Sequence, residues 1–188
     1  MKTSIALALP LLALAACNSS GPTVTATNAS QSEVAAKVAD AANGGDIVKP
    51  GRWEGTMTMG DMKMPNLPPE QQKMLSSKLG QSHTIVSCVT PEQVKAKRAF
   101  FTGQDDKECR YDHFTMAGGK IDAAMHCDTG SGTMNATMSG DYAPDHYHMT
   151  MTSDTKAAGN APYGTMSMTM TIDARRTGEC RGDENKAR

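Results

Sequence analysis

Aromatic residues are scarce in this chain. Its 188 positions hold one tryptophan, four tyrosines and three phenylalanines, so rings cannot dominate a core, and much of the apolar volume falls to 15 methionines. A charge excess is also missing. With 19 basic and 20 acidic residues, and Lys2 lost with the leader described below, the mature chain stands near −2. That balance excludes nucleic acid or an anionic lipid surface as a charge-driven partner. Absent too are a G-x-S-x-G elbow, a phosphate-cradling glycine loop, an H-E-x-x-H pair, a dinucleotide fingerprint and any C-x-x-C spacing. The expectation is therefore a noncatalytic protein with no catalytic residues, no cofactor and no metal-ligand set.

What is present begins with location. Lys2 precedes the apolar run "IALALPLLALAA", which is too short to cross a bilayer, and "LAAC" closes it at Cys17. Residues 1–17 read as a lipoprotein signal peptide, cleaved before Cys17, whose thiol takes diacylglycerol and whose amino group is acylated by a palmitate-type chain. At about 0.8 kcal/mol per buried methylene, several acyl chains anchor a protein without a transmembrane helix. Asn18 follows the cysteine, and no aspartate stands there to signal inner-membrane retention. The expected place is the cell envelope, at the periplasmic face of the outer membrane.

Residues 18–49 read as a polar tether. Within it Ser30 and Glu33 have capping-box spacing, Glu33 and Lys37 lie four apart, and Val34 and Val38 share one face, which predicts a short helix. From Pro50 the apolar period becomes two. "GRWEGTMTM", "HTIVSCV", "ECRYDHFTM", "KIDAAMHC", "SGTMNATMS", "HYHMTMTSD" and "YGTMSMTMTIDARR" read as strands parted by glycine, proline or aspartate. "NLPPEQQKMLSSKLGQ" and "TPEQVKAKRAF" read as helices, the second capped by Thr90 with Pro91 at its first position. The predicted fold is mainly β: one antiparallel, strongly curved sheet or small barrel-like domain of about seven strands with one or two short helices, over residues 50–182, followed by a polar tail at 183–188.

Alternation of methionine and threonine assigns faces. Met57 and Met59 share one side of their strand and Thr56 and Thr58 the other; Met166, Met168, Met170 and Ile172 are set against Thr165, Ser167, Thr169 and Thr171. Met134, Ala136 and Met138, and Tyr147, Met149 and Met151, repeat the pattern. A methionine interior under a threonine exterior follows, and a flexible thioether lining adapts to a bound apolar molecule.

With Cys17 assigned to lipid, Cys88, Cys109, Cys127 and Cys180 form an even set, as in an oxidising compartment. If "TMAGGK" turns around Gly118, Met116 faces Lys120 and Cys109 faces Cys127, with Tyr111, Ile121 and Met125 on the same side. Cys88 and Cys180 remain as the second disulfide. Four thiols holding a metal is the competing reading. Among the histidines, His146 and His148 project to one side of a strand, opposite Met149 and Met151, as a solvated pair; beside methionines they would also suit copper. His83, His113 and His126 stand alone. Asp105, Asp106 and Glu108 lack calcium-loop spacing and read as a solvated turn.

The order "PGRWEGTMTM", "MKMPNLPPEQQKMLSSKLG", "CVTPEQ", two further cysteines and a terminal "GEC", with the lipobox, resembles the bacterial lipoproteins of domain-of-unknown-function family 3617, over about residues 50–181. The resemblance implies a proteobacterial envelope protein with a small, mostly β domain and paired cysteines, and it brings no catalytic residue. The expected function is a lipid-anchored protein that binds an apolar small molecule or envelope component through its methionine-rich domain. Copper binding, or buffering of oxidants by methionine, is the alternative. The membrane, reached through the lipid, and an envelope protein are the expected partners, with no nucleic acid.

Overall fold

In a computed structural model, the protein is described over residues 22–42, 47–79, 82–95, 108–128, 130–159 and 164–184. The signal peptide, Cys17, Phe100, Phe101, Asp105, Asp106 and Tyr163 lie outside these segments.

Among the described residues eight strands form one antiparallel sheet: β1 Val24–Ser30, β2 Gly51–Lys63, β3 Ser82–Val89, β4 Cys109–Ala117, β5 Lys120–Asp128, β6 Gly132–Ala143, β7 His146–Ala157 and β8 Thr165–Gly178. Their order is β1-β4-β5-β6-β7-β8-β2-β3, so the sheet is open, with β1 and β3 at its edges. All seven segments with period two are strands. The middle is a meander of neighbouring hairpins, while the β1–β4 and β2–β8 pairings join distant segments.

The expected tether needs correction. Residues 24–30 are a full edge strand, and α1 (Gln31–Ala41) packs on the sheet. Polar composition hid this, because the strand buries only the small side chains Val24, Ala26 and Ala29, and the exposed backbone edge of β4 supplies the rest of its stability. The capping box does form: Ser30 Oγ accepts from the Glu33 N–H at 3.2 Å and Glu33 Oε2 accepts from the Ser30 N–H at 2.7 Å. Lys37 donates to the Thr25 carbonyl at 3.1 Å, tying the helix to its own strand. Val34 and Val38 drop onto Tyr111, Phe114, Met116 and Ile121, the main core.

The expected tail also begins too early. Glu184 is buried, because Arg52 is buried beneath it and needs counter-charge. Arg52 donates to Glu54 at 2.7 Å, to Asp183 at 2.7 Å and to Glu184 at 3.2 Å, and these carboxylates raise its pKa.

The helices α2 (Pro69–Leu79) and α3 (Pro91–Lys95) fall within their predicted segments. Thr90 Oγ1 accepts from the Gln93 N–H at 3.2 Å, and Gln93 Oε1 accepts from the Thr90 N–H at 2.8 Å, a second capping box. The rest of the segment predicted for α3 lies outside the described residues. Near the β2–β8 end a smaller core gathers Val48, Trp53 and Ala174, with the Trp53 ring 5.7 Å from Tyr147.

Both cysteine pairs are disulfide-bonded: Cys109–Cys127 at a Cα separation of 4.0 Å and Cys88–Cys180 at 5.5 Å. The register behind the first pair differs from the expected one. The turn is two residues, Gly118 and Gly119, with φ of 56° and 75°, as a tight hairpin of this kind requires. Ala117 therefore faces Lys120 and Met116 faces Ile121. That register alone would set Cys109 against Asp128. A bulge between Tyr111 and His113 shifts the pairing by one and returns Cys109 to Cys127.

Candidate functional site

Register turns the alternation of single strands into a continuous surface. Met138 faces Met151, Met151 faces Met170, and Met170 faces Met59, so four methionines line up across β6, β7, β8 and β2. The neighbouring row runs Gly140, Met149, Ile172, Met57 and His83. Gly140 has no room for a side chain, because a Cβ there would lie 2.0 Å from the His148 carbonyl oxygen and 2.9 Å from the Met149 sulfur. Met168 and Met62 continue a third row.

Burial is graded along this face. At the end covered by α1, Phe114 and Met116 are each 1% exposed. Beyond β6, Met57, Met59, Met62, Met149, Met166, Met168 and Met170 are half-buried, and Met151 is 37% exposed. Thr58, Thr150, Thr152, Thr169 and Thr171 on the other face are half-buried as well. The methionine-inside, threonine-outside expectation thus describes the faces but not their exposure. The helix α1 covers one end of this face, α2 touches the other only beside Met62 and Met64, and Val94 of α3 packs beside Trp53, so both faces of the open sheet between them stay reachable by solvent.

The opposite face is polar and carries most of the histidines. His146 and His148 do point away from Met149 and Met151, and each meets an aspartate: His146 with Asp145 at 2.9 Å and His148 with Asp173 at 2.5 Å. His113 and His126, expected to stand alone, are paired with Asp122 at 2.7 Å and Asp112 at 2.8 Å. The aspartate Asp112 sits at the β4 bulge, which no spacing rule marks. The Asp173 carboxylate, reinforced by Asp141, raises the His148 pKa above its ordinary value. A cleft of about 520 Å³ opens over this polar face, lined by Glu54, Thr84, His146, His148, Asp173 and Arg175. It lies across the sheet from the methionine rows, so the hollow expected between methionine faces is not this one. Among the described residues no three His, Cys, Asp or Glu side chains are grouped to hold a metal, and no helix is long and apolar enough to cross a membrane.

Residues 48–180 match the model of a family described as protein of unknown function, DUF3617. The chain belongs to that family. No curated protein and no solved structure matches it. The DUF3617 match begins after α1, so the strand and helix that cover the main core, β1 and α1, lie outside the family segment. Both disulfides and all the methionine rows lie within it.

The aligned row of four methionines escaped the sequence reading because parity within a strand says nothing about register between strands. One part of it was accessible: the two-residue Pro144–Asp145 turn sets Met138 opposite Met151. The joins to β8 and β2 were not, since a seven-residue connection leaves the β7–β8 register open and β2 pairs with β8 across most of the chain.

Proposed function

We propose that this DUF3617 protein is a lipid-anchored, noncatalytic envelope protein, held through Cys17 at the periplasmic face of the outer membrane. Its half-exposed methionine face takes an apolar small molecule or an apolar surface of another envelope component. The row Met138–Met151–Met170–Met59 carries the reading. Flexible, polarizable side chains in register across four strands form a surface that fits ligands of varied shape. The lipobox supports the anchor. Cys17 lies seven residues before Val24, a span of at most about 25 Å at full extension, so an acylated Cys17 keeps the sheet near the bilayer.

The test is native mass spectrometry of residues 18–188, exported to the periplasm so that both disulfides form. An extra organic mass, lost when Met151 and Met170 are replaced by serine, is the expected result. A bare mass, together with no uptake of an apolar fluorescent probe by the wild-type chain, overturns the apolar reading. The anchor is tested separately by Cys17→Ala in the full-length protein, which should move it from the membrane to the soluble fraction.

A second reading is that the sulfurs of this face hold a soft metal or absorb oxidant. The exposure of Met151 favours it. Peroxide should then oxidise Met151 and spare Met116; equal oxidation of both refutes this ordering.

A further inference from the structure

Four of the five histidines are held by aspartates on the polar face or its rim. His83 differs in both respects. Among the described residues it has no hydrogen-bonded or ion-paired carboxylate, and its place on the edge strand β3, directly opposite Met57, puts it on the methionine face. It is exposed, and Met57 and Met59 are half-buried. On the other side of the same two strands Thr58 and Ser82 hydrogen-bond through their hydroxyls at 2.9 Å, which pins the register that sets His83 against Met57.

We infer that Met57, Met59 and His83 form a binding site for a soft monovalent cation, Cu(I) or Ag(I), at the β2–β3 edge of the sheet. This names a site within the soft-metal reading above and is independent of the apolar-ligand reading.

The donor chemistry carries the choice of metal. Two thioethers and a neutral imidazole bring soft or borderline donors with no charge, which suits a monovalent d¹⁰ ion and offers nothing to calcium or magnesium. Spacing allows convergence. Opposed residues on antiparallel strands bring Cβ atoms to about 4.5–5.5 Å. Met57 and Met59, two residues apart on one face, are about 7 Å apart along the strand, a gap that three-bond thioether side chains close over a single ion. Met170, opposite Met59, places a further sulfur next to the pair. The aspartate-bound histidines cannot serve in the same way. They lie on the polar face, across the sheet from the sulfurs of these rows.

Residues 18–188 with both disulfides intact are titrated anaerobically with the Cu(I)–bicinchoninate complex, and separately with Ag(I) while the ¹³C-methyl resonances of methionine are followed. Withdrawal of one equivalent of Cu(I) is expected, with Ag(I) shifting the Met57 and Met59 methyl signals. His83→Ala and Met57→Leu should each weaken binding by at least about tenfold, since losing even an outer partner of a ligand costs that much. His148→Ala should leave it unchanged. Met57→Leu conserves volume and His83 is exposed, so both variants retain the fold, as circular dichroism would verify. If both bind Cu(I) as the wild type does, the site is overturned although the soft-metal reading survives. If the wild type withdraws no Cu(I), both fall. Neither result bears on retention of an organic mass.

Discussion

Val34→Ala tests the claim that residues before the family segment belong to the fold. Val34 is fully buried, with 0% exposure, between α1 and the side chains of β4 and β5. Removing one buried methyl costs about 0.5–1.5 kcal/mol, transfer and residual cavity together, so the two methyls lost here cost about 2 kcal/mol. For a domain of this size that lowers Tm by about 4–8 °C. Urea unfolding followed by circular dichroism should show a lower midpoint with an unchanged slope. Ala36→Ser, on the exposed side of the same helix, should change stability by no more than about 0.5 kcal/mol. A helix that merely rests on the domain would make Val34→Ala as mild as Ala36→Ser, and that result would refute the assignment of β1 and α1 to the core. It would also restore the tether reading of residues 18–49.

The two disulfides should differ in worth and in access. Cys88–Cys180 spans a separation of 92 residues and Cys109–Cys127 one of 18, so the chain-entropy estimate is about 4.6 against about 3.2 kcal/mol. Cys180 is exposed whereas Cys109 and Cys127 are buried, so dithiothreitol under native conditions should reduce Cys88–Cys180 first; mass mapping of alkylated thiols that finds the reverse order would contradict this. The carboxyl of Glu184 is held at about 2, first by the Arg181 N–H and then by the Gly182 N–H and Arg52. Its contribution is full above the unfolded value near 4.5 and is lost as pH falls through about 2, so Glu184→Gln should flatten that part of the acid-unfolding profile. For His148, raised by Asp173, the contribution is full below 6.5 and is lost as pH rises through the higher folded value. Asp173→Asn should lower the midpoint of the His148 imidazole titration followed by NMR; an unmoved midpoint would show that the ion pair does not form in solution.

Local pattern was enough for every element except β1. Alternation of methionine with threonine marks β6, β7 and β8 because side chains of a strand change sides at every residue, and Ser30 with Glu33 and Thr90 with Gln93 mark helix starts because each pair satisfies amide groups that the helix leaves unbonded. Two-residue turns at Gly118–Gly119 and Pro144–Asp145 join neighbouring strands, and their chemistry is written in those residues. Pairing between distant strands has no such mark. The strand β1 has the composition of a spacer and becomes a strand only because β4 offers it an unpaired edge. The bulge that brings Cys109 to Cys127 is a matter of fitting β4 to β5, and the burial of Glu184 follows from Arg52, more than a hundred residues earlier. By itself the sequence determined which residues share a face of each strand between its bulges. Only the tertiary structure decided which faces meet in register, that four methionines form one row, and that His83 rather than His148 stands beside them, because register across a sheet is set by long-range pairing and by the helix that covers one end of it.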